Sequence, residues 1–176
     1  MREPVTEPRL REFMRSIAAE AREAGRIYLA EGASAVLQHW RSSTFDIHIT
    51  IIPERDRILR AIRDLKERLH VNVELASPAH FVPPLRGWVD RSPFITREGV
   101  ISFHNFDFYT QALSKLERGH HKDLIDVSSM VRDGLVVPSR LLTLFEEVED
   151  QLYRYPDVHP PSLRAVVERF ASAALQ

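Results

Sequence analysis

Between residues 45 and 52 the chain alternates. Ile47, Ile49 and Ile51 fall on one side and Asp46 and His48 on the other. That period of two predicts a half-buried strand with its apolar face toward a core. Val71, Val73 and Leu75 alternate with Asn72 and Glu74 in the same way. Elsewhere the spacing is helical. Leu10, Phe13, Met14, Ile17, Ala18 and Ala21 share one face of a helix over 6–24, which Gly25 ends. Ile58, Leu59, Ile62, Leu65 and Leu69 form the stripe of a helix over 54–69, and Pro53 stops the preceding strand and suits the helix start. Residues 27–30 read as a short apolar strand, Gly32 as a turn, 33–40 as a helix and 41–44 as a polar turn.

Residues 76–93 carry Pro78, Pro83, Pro84 and Pro93 and read as loop. Residues 94–96 and 100–104 read as a hairpin turning near Glu98 and Gly99. Helices follow over 107–118, 121–132, 138–154 and 161–174, with breaks at Gly119, at Gly134 and between Pro156 and Pro161. A strand–helix–strand unit comes first, a mixed sheet next and helices last. This order predicts an α/β (α+β) core over 1–106 and a C-terminal helical bundle over 107–176, packed as a single compact unit.

Composition narrows the function classes. The chain has 176 residues, of which 44% are hydrophobic and 28% charged, enough for a real core. A net charge of −1 gives no global attraction to nucleic acid or to an anionic membrane. The absence of cysteine excludes disulfides, thiolate zinc sites and Cys nucleophiles. No apolar run approaches the ~20 residues that span a bilayer. The charged N-terminus lacks the apolar stretch of a signal peptide, so the expected location is cytoplasmic.

The chemistry concentrates on the polar strand faces. Asp46, His48 and Glu74 are candidate metal ligands, because carboxylates hold the divalent ions that clamp a triphosphate. Gly32, at a helix start, lets backbone N–H groups approach phosphate oxygens. His120 and His121 do not form a metal pair, since neighbours on a helix point about 100° apart. A Ser-His-Asp hydrolase is unsupported, for want of an elbow motif. Trp40 reads as core.

Two segments carry a resemblance. Glu31-Gly32-Ala33-Ser34, a spacer, then Asp46-Ile47-His48 with Glu74 as third acid, resembles the signature of the nucleotidyltransferase superfamily. Gln111 to Asp126 resembles the helical motif of its abortive-infection (AbiEii-like) branch, with Lys115, Arg118, Lys122, Asp123 and Asp126 in matching positions. The resemblance covers 27–133. It implies a minimal nucleotidyltransferase fold, a short mixed sheet flanked by helices with a C-terminal bundle. It implies catalytic roles for Asp46, Lys115 and Asp123. Gly32, Ser34, Lys115 and Arg118 would bind nucleotide, and Asp46, His48 and Glu74 would bind metal, on opposite walls of one cleft. Mg²⁺ or Mn²⁺ would be the ion and a nucleoside triphosphate the substrate. The acceptor would be tRNA or another RNA, or a protein, with a cognate antitoxin as partner and no membrane. Two positions depart from the pattern. Glu31 stands where the family places a glycine, and a carboxylate there repels a triphosphate. His48 stands where it places an aspartate, and imidazole suits Mn²⁺ or Zn²⁺ better than Mg²⁺. These departures imply the alternative, a pseudoenzyme that keeps the fold as a binding or regulatory module.

Overall fold

Ile47, Ile49 and Ile51 are buried as the alternation requires, and the first part of the fold is built around them. The computed structural model describes residues 3–173. The chain forms two units. The first comprises the residues up to Ser77 together with Ser92–Phe106, and the second comprises Pro78–Arg91 and the chain from Asp107 onward.

In the first unit, strand β1 (Val5–Thr6) leads into helix α1 (Glu7–Ala19). The helix ends earlier than its stripe predicts. The Ala21 N–H bonds to the Ala18 carbonyl, a tightened last turn that redirects the chain into β2 (Gly25–Ala30). Helix α2 (Gly32–Leu37) and strand β3 (Ser43–Thr44) follow. Then come β4 (Asp46–Ile52), α3 (Asp56–Arg68) and β5 (Asn72–Glu74). The hairpin forms as read, from β6 (Phe94–Glu98) and β7 (Ile101–Asn105).

Five strands make one mixed sheet in the order β5-β4-β2-β7-β6. The β4–β5 and β2–β7 pairs are parallel, while β2–β4 and β6–β7 are antiparallel. The segment read as strand, helix, strand therefore reverses direction. Six-residue α2 is too short for the crossover that parallel neighbours need, and that crossover is made by α3 between β4 and β5. The polar turn at 41–44 contains a strand as well, because Ser43 and Thr44 pair with β1.

The sheet has a dry face and a polar one. Ile27, Leu29, Ile47, Ile49, Val73 and Phe103 pack with Phe13, Ile17, Ala33, Ile58 and Leu65 in one core. Register fixes which side chains share the other face. His48 is paired with Ala30 across β2 and with Glu74 across β5, and Asp46 with Asn72.

The second unit begins with a 3₁₀ turn (Pro78–His80) and helix α4 (Trp88–Arg91) inside the proline-rich stretch. Helices α5 (Phe108–Arg118), α6 (His121–Arg132), α7 (Pro138–Glu146) and α8 (Pro160–Ala173) form the bundle, around Leu113, Met130, Leu141, Phe145 and Val167. The helix read as 138–154 is interrupted, and Glu149–Arg154 is 3₁₀. Glu146, Glu147, Glu149 and Asp150 would set like charges three and four residues apart on a continuous helix, which disfavours it. Among the described residues no helix is long and apolar enough to cross a membrane.

Candidate metal centre and a buried ion network

Asp46 and His48 lie two residues apart on β4, and Glu74 lies beside His48 on the parallel edge strand β5. Strand alternation and register therefore deliver three potential ligands to one spot. One ligand atom from each lies within 4.8 Å of the other two, and no other such group occurs among the described residues. Asp46 and His48 are half-buried and Glu74 is exposed. His48 Nε2 lies 3.1 Å from Glu74 Oε2. Asn72, which alternation marks only as a polar-face residue, joins the two carboxylates. Its Nδ2 donates to Asp46 Oδ1 at 2.7 Å and to Glu74 Oε1 at 3.0 Å. The signal for Asn72 was its register opposite Asp46, which is invisible until the strands are paired.

The turn before α2 has an unusual backbone. Glu31 has φ 57° and ψ −127°, a region that glycine occupies and other residues avoid. Gly32 next to it is compulsory for another reason. A Cβ there would fall 2.1 Å from Thr44 Oγ1 and 2.8 Å from Thr44 Cβ. The Ser34 hydroxyl is buried and donates to the Leu29 carbonyl at 3.0 Å, which ties the first turn of α2 to the end of β2.

The predicted cationic residues belong to the second unit, where they meet acids. Lys115 is 1% exposed. Its Nζ donates to Asp126 Oδ2 at 3.0 Å and to Asp123 Oδ1 at 3.3 Å. Arg118 closes on the same aspartate, from Nη2 to Oδ1 at 3.0 Å and from Nε to Oδ2 at 3.2 Å. Its guanidinium also lies 5.7 Å from the centre of the Phe81 ring. Burial raises the Asp123 pKa, but the hydrogen bonds and charges of Arg118, then Lys115, outweigh it and hold the carboxyl below its ordinary value. Asp126 thus partners Lys115. The spacing makes this network possible: Gly119, at φ 65°, ends α5 and lets α6 return Asp123 and Asp126 alongside.

Another acid, at the head of α5, escaped the sequence reading. Asp107 is wholly buried and caps the helix, accepting from the Tyr109 and Thr110 N–H groups at 3.3 Å each. Arg91 grips it from α4 at 2.8 and 3.1 Å. An aspartate directly before an apolar helical run is the signal that identifies such a cap. Comparison of the chain with protein-family models, with curated proteins and with solved structures gave no match.

Proposed function

We propose that this chain is a nucleotidyltransferase-like protein of a bacterial toxin–antitoxin or phage-defence module, working in the cytoplasm. It would transfer a nucleotide from a nucleoside triphosphate to a hydroxyl of RNA, such as tRNA, or of protein. The observation that carries this reading is the convergence of Asp46, His48 and Glu74 on the polar sheet face. A divalent ion bound there, Mg²⁺ or Mn²⁺, would supply charge neutralisation for the triphosphate and polarise the attacking hydroxyl. The two carboxylates balance the charge of such an ion, and the imidazole beside them suits Mn²⁺ better than Mg²⁺.

The chain's own residues would divide the remaining work. Asp46 and Glu74 supply the carboxylates. The Gly32 turn offers backbone N–H groups, with Ser34 bracing that turn through Leu29. Lys115 and Arg118 would hold phosphate, and Asp123, kept ionised by them, would orient the lysine or take the proton of the acceptor. A cognate antitoxin would be the protein partner.

Two observations favour a second reading, a pseudoenzyme kept as a binding or regulatory module. A carboxylate, Glu31, sits in a glycine-like conformation at the turn that would receive the triphosphate. Lys115 is enclosed between two aspartates. Label transfer separates the readings. The full chain is incubated with each α-labelled nucleoside triphosphate, with Mg²⁺ or Mn²⁺, and with bacterial RNA and protein as acceptors. The first reading expects labelled acceptor from the native chain and none from Lys115→Ala or Asp46→Asn. Label from His48→Asp alone means an intact scaffold with its metal chemistry switched off. Silence from every variant favours the module.

A further inference from the structure

We infer that the Asp46–His48–Glu74 centre takes Zn²⁺ in preference to Mn²⁺, and both in preference to Mg²⁺, with Asn72 as the positioning residue that holds its carboxylates. This inference rests on the metal-binding part of the proposed function and goes beyond it in naming the kind of ion and the residue that organises the site.

The preference follows from the donors. Mg²⁺ demands six hard oxygen ligands in a near-regular octahedron, and a neutral imidazole nitrogen is a poor substitute for one of them. The same nitrogen suits Zn²⁺ and, less strongly, Mn²⁺. Two ionised carboxylates and a neutral imidazole also carry the charge that one divalent ion cancels, so a second ion would be under-compensated.

The geometry points the same way. Ligands bound at ~2.1 Å lie about 3.0 Å apart at a right angle and about 3.4 Å apart at the tetrahedral angle. His48 Nε2 and Glu74 Oε2 are 3.1 Å apart in a hydrogen bond, a separation that an ion displacing the shared proton would keep. The ligand atom of Asp46 lies within 4.8 Å of both, so a side-chain rotation of at most about 1.5–2 Å closes the third bond.

Asn72 explains why the carboxylates stand where they do. One amide nitrogen bonds Asp46 Oδ1 and Glu74 Oε1 together. That occupies one oxygen of each carboxylate, so Asp46 Oδ2 and Glu74 Oε2, the latter now bonded to His48, would be the coordinating atoms. Being neutral, Asn72 draws two like charges together without adding a charge that would oppose the ion. Hydrogen bonding of ligating carboxylates by such a neighbour sets their orientation and affinity.

Titration calorimetry of the full chain with the chlorides of Zn²⁺, Mn²⁺ and Mg²⁺ tests the inference, beside the visible spectrum of added Co²⁺. The expected result is one equivalent of Zn²⁺, with Mg²⁺ at least about 100-fold weaker. His48→Ala and His48→Gln should each lose the Zn²⁺ preference and the imidazole-dependent Co²⁺ bands. Asn72→Ala should weaken Zn²⁺ by about 10- to 100-fold while the metal-free chain melts as before, and Asn72→Asp should not restore the affinity. Mg²⁺ binding as tightly as Zn²⁺, or unchanged Zn²⁺ affinity in the His48 variants, overturns the choice of ion while leaving a metal site. Unchanged affinity in Asn72→Ala overturns the positioning role. No binding of any ion by the native chain removes the metal reading itself.

Discussion

Glu31 occupies a backbone conformation that costs a non-glycine residue about 1–3 kcal/mol. Its replacement by glycine removes that strain and adds back about 0.5–1 kcal/mol of chain entropy. Glu31→Gly should therefore stabilise the protein, by about 1 kcal/mol, where most substitutions of a half-buried residue destabilise. Urea denaturation is the measurement, and a loss of stability would show that the turn is held by contacts of the Glu31 side chain. Gly32 gives the opposite case. Gly32→Ala drives a methyl group against Thr44 and should cost about 2 kcal/mol. Thr44→Ala in the same chain should recover part of that loss but not all, since the Thr44 Cβ itself lies 2.8 Å from the new methyl position.

At the level of elements, α5 and α6 are joined through a lysine and two aspartates removed from water. Breaking such a set by deleting one partner strands a buried charge. Asp126→Ala should cost about 3–5 kcal/mol. Lys115→Met combined with Asp126→Leu should cost far less than the two single changes added together, as a double-mutant cycle in denaturant would show. The pH dependence has a definite sign. Asp123 titrates lower in the folded chain than its ordinary 3.8, so its contribution is complete above about pH 4 and drains away as pH falls toward the folded value. Acid titration of stability should show that loss, and Asp123→Asn should reduce it. Periodicity made most of these elements legible. The apolar faces of β4 and α3, the hairpin and helices α5, α6 and α8 stand where hydrophobic spacing placed them, while α7 is shorter than read and α4 lies in a stretch read as loop. Tertiary terms decided the rest. The antiparallel pairing of β2 with β4 depends on how short α2 is, and the β1–β3 pair joins residues about forty apart, too short a pairing to leave a periodic trace. The candidate ligands were legible because strand alternation fixes a face, whereas Asn72 and the Arg91–Asp107 clasp needed the register and the fold.

For the molecule as a whole, ligand binding and folding share one free energy. An ion that binds only the folded form adds about 2.7 kcal/mol at a hundred times its dissociation constant. For a chain of this size that corresponds to about 5–10 °C in melting temperature. Saturating Zn²⁺ should raise the melting temperature of the native chain by that amount and leave Asp46→Asn unmoved, a comparison accessible by scanning calorimetry. The order of the strands has a consequence for synthesis. Gly25 pairs with Ile101, so β2 acquires its second neighbour only after Pro78–Arg91, part of the other unit, has been made. On the ribosome, β5, β4 and β2 can assemble with α1 and α3 as soon as Ser77 has emerged. Until β7 follows, that nascent half-sheet carries a bare hydrogen-bonding edge along β2 in what will become the middle of the finished sheet. The growing chain should be open to strand exchange with its neighbours over that interval, so slower translation through residues 78–105 should lower the yield of folded chain.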